Sequence, residues 1–365
     1  MAPHLLSTPR MELPFLSRGQ RKREHIVSID LGGRTTKAVY LQRKGERFAL
    51  VSYAILDAPI SDKAISVDLL ADHLKNVSNM LGNSKGRPVT LAVGVTEALF
   101  RQIEVPLMPV DDLRMMLKFN SKTYLQQDLA DHVFDCCYVI PGAPAADAAK
   151  GAAPNPQKQR IMVGAARKSV IDDLAAAIKA AGMVPDQVVP GLIGPVNAFE
   201  LAEPETFRNE TLALVDLGFK NSFITILDRG EIKLNRVVAI GGDRLTSGLA
   251  EAMNISYVEA ENIKIGMPTE VQPNLESILS PLGRELRASI DFFEHQNDKT
   301  VSQVYISGGS ARSDLIMQAL QAELMVGCKT WNPAAFLQLD PQKASELEQV
   351  TPQLTVALGA ATSAF

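Results

Sequence analysis

One strand plan occurs twice in this chain. The stretch 26–39, IVSIDLGGRTTKAV, is an apolar strand that stops at Asp-Leu-Gly-Gly and resumes after a hydroxyl-rich turn. The stretch 212–227, LALVDLGFKNSFITIL, does the same around Asp216-Leu217-Gly218. Each pair of strands continues into a third, over 47–55 after the turn Lys44-Gly45-Glu46 and over EIKLNRVVAI after Asp228-Arg229-Gly230. A duplication on this scale calls for two related sheets, each opening as a three-stranded meander, with Asp30 and Asp216 at equivalent strand ends.

Taken alone, the first stretch reads equally as a hairpin, since strand, Gly-Gly turn, strand is a common hairpin signature. As a binding turn, Gly32 and Gly33 let backbone N–H groups approach a phosphate, while Thr35, Thr36 and Lys37 add hydroxyls and a point charge. Asp30 is then placed to hold the waters of a Mg²⁺ ion, which keeps several of them when bound. A third glycine stretch, VYISGGSA at 304–311, ends an apolar strand before a helix, the arrangement that points backbone N–H groups and a helix N-terminus at a nucleotide. Each stretch is weak evidence by itself. Three in this order make a nucleotide site the better reading.

Between these landmarks, Val67, Leu70, Leu74, Val77 and Leu81 recur at helical spacing and predict a helix over 66–81. Further helices are expected over 243–254, 256–265 and 276–296, the first entered through Gly241-Gly242 with Asp243 as N-cap. Residues 95–182 fit neither half and read as an insertion, carrying an Ala/Pro/Gly-rich loop at 141–160. The expected plan is a basic tail at 1–24, a first core from 25–94 and 183–211, a second core from 212–242 and 300–365, and a helical subdomain at 243–299.

A chain of 365 residues exceeds one ordinary hydrophobic core, which agrees with two lobes. The net charge of −4 argues against a general nucleic-acid binder, which neutralises phosphates with clustered Lys and Arg. Adjacent Cys136-Cys137 and distant Cys328 lack zinc or disulfide spacing, and the histidines form no HExxH pair. The tail surrounds a short apolar patch, Leu13–Leu16, with Arg10, Arg18, Arg21, Lys22 and Arg23; it lacks the apolar core of a secretory signal, so a cytoplasmic protein is expected.

The order DLGG at 30–33, DLG at 216–218 and SGG at 307–309 resembles the phosphate-1, phosphate-2 and adenosine motifs of the actin-like ATPase superfamily. From about residue 24 onward the chain is similar to the PilM family of type IV pilus assembly and its division-protein relative FtsA. The resemblance is carried by FLSRGQRKREHIVSIDLGGRTTKAVYL, IEVPLMPVDDLRMMLKFNSKTYL, RVVAIGGDRLTSGLAEAMNISYVEAENIKIG and RELRASIDFFEHQ. It implies an α/β, two-lobed actin-like ATPase fold of duplicated βββαβα cores, with 95–182 as an inserted 1C-type α+β subdomain.

The same resemblance implies ATP and Mg²⁺ as cofactors. Asp30 and Asp216 would order the metal through water, and Gly32, Gly33, Arg34, Thr35, Thr36 and Lys37 would hold one side of the phosphates. Gly218, Lys220, Asn221, Ser222, Gly241 and Gly242 would hold the other. Gly308, Gly309, Ser310 and Ala311 would line the purine and ribose, reached by Glu261 and Lys264, for which a solvated ion pair is the plain alternative. The implied partner is the cytoplasmic N-terminal tail of a PilN-type inner-membrane protein, with pilus motor ATPases as further contacts. Membrane association through those partners, at the cytoplasmic face of the inner membrane, and self-association belong to the same implication.

Two departures from the family pattern matter. Relatives carry small residues after the second Asp-hydrophobic-Gly, whereas here Phe219 and Lys220 follow, and Lys220 is placed to meet a phosphate directly. Actin-like enzymes orient the attacking water with an acidic or amide side chain where this chain has Val189-Pro190-Gly191, with Asp186 several residues early. Binding with slow or absent hydrolysis is therefore expected. The alternatives are a small-molecule kinase of the same superfamily, for which Asp57 or Asp62 would have to serve as base, and an FtsA-like filament former. A chaperone-type peptide-binding domain after the final TVALGAATSAF is not expected.

Overall fold

The computed structural model describes residues 23–59, 65–94, 97–139, 158–266 and 271–365. The basic tail before Arg23, most of the 141–160 loop, and Asp62 lie outside these residues. The chain divides into two compact units, one of residues 23–31, 35–197 and 356–365, the other of 32–34 and 198–355.

In the first unit, β1 (His25–Leu31), β2 (Thr35–Lys44), β3 (Arg47–Asp57), β4 (Pro88–Val93) and β8 (Val184–Pro190) form a sheet in the order β3-β2-β1-β4-β8. The β1–β2 and β2–β3 pairs are antiparallel, and the β1–β4 and β4–β8 pairs parallel. In the second unit, β9 (Thr211–Leu217), β10 (Ser222–Asp228), β11 (Glu231–Val238), β12 (Gln303–Gly308) and β13 (Cys328–Thr330) run β11-β10-β9-β12-β13. Pairing directions match strand for strand. The repeat seen in the sequence is thus a repeat of topology, with β1 equivalent to β9 and β4 to β12. Because Asp30 and Asp216 are each the penultimate residue of their strand, they occupy the same place in the two sheets.

Helix α1 (Val67–Met80) starts where the Ser66 hydroxyl accepts the Leu69 N–H, one residue later than the spacing predicts, and buries Leu70, Leu74 and Val77 against the first sheet. The insertion contains β5 (Ala98–Pro106), α2 (Val110–Leu125), β6 (His132–Tyr138) and β7 (Lys158–Arg167). Its antiparallel sheet, ordered β5-β7-β6, closes a core of its own around Val105, Leu113, Leu117, Ile161 and Val163. Helix α3 (Lys168–Ala180), which the sequence reading assigns to the insertion, instead sends Ile171, Leu174, Ala177 and Ile178 into the core beneath the larger sheet beside α1. Periodicity marks an amphipathic helix without saying which core receives it.

The second unit continues with α4 (Gly194–Ala202), which begins in the first, and α5 (Pro204–Asn209). Its helical part is α6 (Gly242–Met253), α7 (Tyr257–Gly266) and α8 (Gln272–Asn297), followed by α9 (Asp314–Leu324) and α10 (Pro341–Glu348). Leu275, Leu279, Leu282, Leu286, Ile290 and Phe293 of α8 fill the core under its sheet together with Leu245 and Leu249 of α6. Helix α11 (Thr355–Thr362) lies within the 300–365 stretch expected to belong to the second core, yet residues 356–365 cluster with the first unit, where Val356 and Ala360 pack on Ala92 and Val189.

Candidate functional site

In the first unit, β1 delivers Asp30 opposite Lys37 of β2, and the Lys37 Nζ lies 3.4 Å from Asp30 Oδ2. Two residues the sequence placed on one turn thus become a cross-strand ion pair. Thr36, 1% exposed, shares a 2.8 Å hydrogen bond with Nε2 of His73 on α1. Burial holds the His73 imidazole below its ordinary pKa, which favours the neutral ring. His73 was not among the expected site residues, and nothing in its spacing distinguishes it from other polar positions on α1. Thr35 heads β2, half-buried.

In the second unit, Asp216 stands near the C-terminal end of β9, 7% exposed, and its Oδ1 accepts a 2.8 Å hydrogen bond from Ser307 Oγ on the adjacent strand. Around it the backbone approaches too closely for side chains. A Cβ on Gly218 would lie 2.6 Å from the Asn221 carbonyl oxygen, and one on Gly241 would lie 2.4 Å from that of Phe219. Gly308 takes φ +95°, and a Cβ there would meet the Leu217 oxygen at 2.4 Å. Gly242 and Ser310 also meet, since a Cβ on Gly242 would sit 2.9 Å from Ser310 Oγ. Glycines of the second and third motifs are therefore assembled into one cradle.

Not every expected residue faces that cradle. Ser222 is fully buried and its hydroxyl donates to the Ile240 carbonyl at 2.6 Å, and Ala311 packs in the apolar core. Gly241, not Asp243, is the N-cap of α6; the Gly242 and Asp243 N–H groups donate to the Gly218 and Phe219 carbonyls, which ties the helix start to the loop. Asp243 takes up Lys220 instead, Nζ to Oδ2 at 2.7 Å, and accepts from Tyr257 Oη at 3.0 Å. Lys220, expected to meet a phosphate, is held in this structure by the Asp243 carboxylate. Phe219 lies beneath two cations, with the Lys220 ammonium 5.2 Å and the Arg34 guanidinium 5.8 Å from its ring centre. Gly33 and Arg34 cluster with this unit, and Arg34 Nη1 lies 3.9 Å from Glu261 Oε1. Asn221 is half-buried, and Gly309 opens the 3₁₀ turn Gly309–Arg312.

Glu261 and Lys264 do not form a solvated pair. Lys264 is 7% exposed, its Nζ donates to Glu261 Oε2 at 2.6 Å and to Thr246 Oγ1 at 2.7 Å, and Glu261 also accepts from Thr246 at 2.5 Å. Burial pulls the Lys264 ammonium below the ordinary lysine value and Glu261 only partly restores it. Burial pushes the Glu261 carboxyl up, but the hydrogen bonds from Lys264 and Thr246 outweigh it and leave it below its ordinary value. The pair is asymmetric because the ammonium is the more deeply buried partner.

Asp243 follows the same balance, raised by burial and brought below the ordinary value by Lys220 and Tyr257. A carboxylate with a depressed folded pKa contributes stability above its unfolded value and loses it as pH falls through the folded one. The thermal midpoint should therefore drop as pH falls below the unfolded values of 4.5 for Glu261 and 3.8 for Asp243. An Asp243→Asn variant should show a shallower acid limb, and an identical limb would remove Asp243 from the account.

The place of a water-orienting side chain is apolar. Val189 is 5% exposed, and Gly191 abuts the Val93 carbonyl. Asp186 is engaged by Arg23 at 2.5 Å, and burial raises its carboxyl despite that partner. Asn197, the first amide after Gly191, donates to the Gly359 carbonyl at 3.3 Å. Among the described residues no group of three or more His, Cys, Asp or Glu could cage a metal, and no helix is long and apolar enough to cross a membrane.

Two copies of one mixed sheet, each ending its central strand in an aspartate and a glycine turn, define the actin-like ATPase fold. The family model described as type IV pilus assembly protein PilM matches residues 28–365, and the chain belongs to that family. Among solved structures it is similar to a PilM–PilN type IV pilus biogenesis complex, with a TM-score of 0.80 at 22% identity over 94% of this chain and 99% of that one. It is also similar to the ethanolamine utilization protein EutJ from Carboxydothermus hydrogenoformans, at TM-score 0.52 and 14% identity over 97% and 93% of the chains. A third is MreB 5 of Spiroplasma citri bound to AMPPNP, at TM-score 0.50 and 10% identity over 93% and 95%. The cell division protein FtsA of Bacillus subtilis is 25% identical over 97 residues, 27% of this chain, and the match spans about a fifth of that protein's length.

Proposed function

We propose that this protein binds ATP with Mg²⁺, turns it over slowly or not at all, and acts in the type IV pilus assembly platform, or a related type II secretion machine. Its partner is the cytoplasmic N-terminal tail of a PilN-type inner-membrane protein, at the cytoplasmic face of that membrane. The observation that carries the nucleotide reading is the cradle of Gly218, Gly241 and Gly308 beside Asp216, where backbone packs so tightly that only glycine is accommodated. Support for the partner comes from family membership and from the similar structure that pairs PilM with PilN.

The residues fit the implied cofactor. Mg²⁺ is commonly held through water by one or two carboxylates plus the substrate's phosphates, which is what single aspartates at two strand ends can offer. The metal, when bound, neutralises phosphate charge. Asp30 and Asp216 would hold its waters; Thr35, Lys37 and the glycine turns would hold phosphate oxygens; and the turn at Gly308-Gly309-Ser310 with the Glu261–Lys264 pair would face the nucleoside. Slow hydrolysis is supported by the apolar Val189-Pro190-Gly191 and by the Asn197 hydrogen bond to the Gly359 carbonyl. In family terms the β5-β7-β6 sheet with α2 is the 1C subdomain and α6–α8 is 2B. Contacts with motor ATPases, self-association and membrane association through partners extend the same reading.

The test is co-purification with a PilN-type tail, with and without ATP, in wild type and Asp30→Ala. We expect the wild type to retain the tail better with Mg-ATP, and Asp30→Ala to bind Mg-ATP at least about tenfold more weakly and to lose that difference. Tail capture indifferent to nucleotide would leave a passive scaffold. Robust magnesium-dependent turnover that disappears in Asp30→Ala would overturn slow hydrolysis.

A further inference from the structure

The two equivalent aspartates are not equivalently supported. Each stands between an antiparallel and a parallel neighbour: Asp30 between Lys37 and Ala92, Asp216 between Phe223 and Ser307. At Asp30 the antiparallel neighbour brings an ammonium to 3.4 Å, while the parallel neighbour, alanine, has nothing to donate. At Asp216 the antiparallel neighbour is a phenylalanine, and the parallel neighbour places a hydroxyl 2.8 Å from Oδ1. Both members of that second pair are almost fully enclosed, Ser307 at 2% and Asp216 at 7% exposure.

We propose that Ser307 is a positioning residue for this site: its hydroxyl fixes the rotation of the Asp216 carboxylate so that Asp216 presents a preset oxygen to the water shell of a nucleotide-bound divalent cation. Ser307 touches neither nucleotide nor metal. It acts through Asp216, and this inference rests on the nucleotide-binding reading above.

The physical case has three parts. A carboxylate side chain rotates freely about its last bond unless a directional partner holds it, and a donor at 2.8 Å on a buried strand is such a partner. Parallel pairing of β9 with β12 sets Ser307 level with Asp216, so the hydroxyl is placed by backbone hydrogen bonds and costs little further ordering. Gly308 follows immediately with φ +95°, level with Leu217, whose backbone leaves no room for a side chain there. The serine before the Gly-Gly thus has a role separate from that of the glycines. On Asp30, by contrast, the lysine already balances the charge.

The experiment measures ATP affinity of the full chain by calorimetry in excess Mg²⁺ and again in EDTA, for wild type, Ser307→Ala and Ser307→Thr, with circular dichroism to show that each is folded. Removing a hydrogen-bond partner of a metal-side carboxylate typically costs about 10–100-fold in metal affinity. Ser307→Ala is expected to weaken Mg-ATP binding by about tenfold while leaving binding in EDTA unchanged, and Ser307→Thr, which restores the hydroxyl, to return most of the loss. Equal Mg-ATP affinity in wild type and Ser307→Ala would overturn the positioning role while leaving the nucleotide site intact. A parallel loss in Mg²⁺ and in EDTA would show a merely structural serine and overturn it too. Absence of ATP binding by the wild type would overturn the nucleotide reading and this inference with it.

Discussion

Gly359→Ala is expected to destabilise the protein by about 3 kcal/mol or more, at or beyond the upper end of what overpacking usually costs. A Cβ on Gly359 would lie 1.7 Å from the Gly194 carbonyl oxygen, and one on Gly194 would lie 2.7 Å from Val356 Cα. Helices α4 and α11 therefore meet backbone to backbone, and no side-chain rotation can relieve the contact. To admit a methyl group α11 must move, which pulls Val356 and Ala360 off Ala92 and Val189 and breaks the Asn197 hydrogen bond to the Gly359 carbonyl. Against this stands the gain of about 1 kcal/mol in helix propensity when glycine becomes alanine, which is too small to compensate. Urea denaturation should show the loss as a lower midpoint. A midpoint at or above the wild-type value would mean that the two helices have room to separate.

Glu261→Ala should cost a similar amount, about 3–5 kcal/mol, because it leaves the Lys264 ammonium buried and without its counter-charge. The remaining partner, the Thr246 hydroxyl, cannot neutralise it. Since burial already lowers the Lys264 pKa, loss of Glu261 lowers it further, and the unfolded chain then binds the proton more tightly than the folded one. Stability of the variant should accordingly rise with pH as the medium moves from neutral toward the ordinary lysine value of 10.5. Adding Lys264→Met removes the stranded charge and should recover most of the loss, measured by denaturant midpoints of the single and double variants at neutral and alkaline pH. A Glu261→Ala protein as stable as wild type would show that the pair is solvated after all.

Much of the architecture was legible because it depends on pattern. Apolar runs broken at Asp-Leu-Gly specify strands that end there, and the second occurrence of that pattern specifies a second sheet, found with the same strand order. The residues of the cradle were legible for the same reason, since Gly218, Gly241 and Gly308 stand where backbone leaves no room for a side chain. Side-chain partners were not legible. Lys220 follows a phosphate-type loop, yet its ammonium goes to Asp243, which the sequence offers as a cap. Ser222 looks like a loop hydroxyl and is buried at the start of β10 against the Ile240 carbonyl, just past β11. Ser307 reads in the sequence only as the residue before a Gly-Gly, because its contact with Asp216 is made across 91 positions.

The opening three-stranded meanders, the doubled aspartate-glycine turns, the helix faces and the family follow from local sequence, because periodicity and turn chemistry act over a few residues. Which core α3 and α11 join, the burial of Lys264, and the different support given to Asp30 and Asp216 follow from tertiary structure alone. These depend on which side chains from distant segments share one small volume, and desolvation and hydrogen bonding are decided there, after the strands have paired.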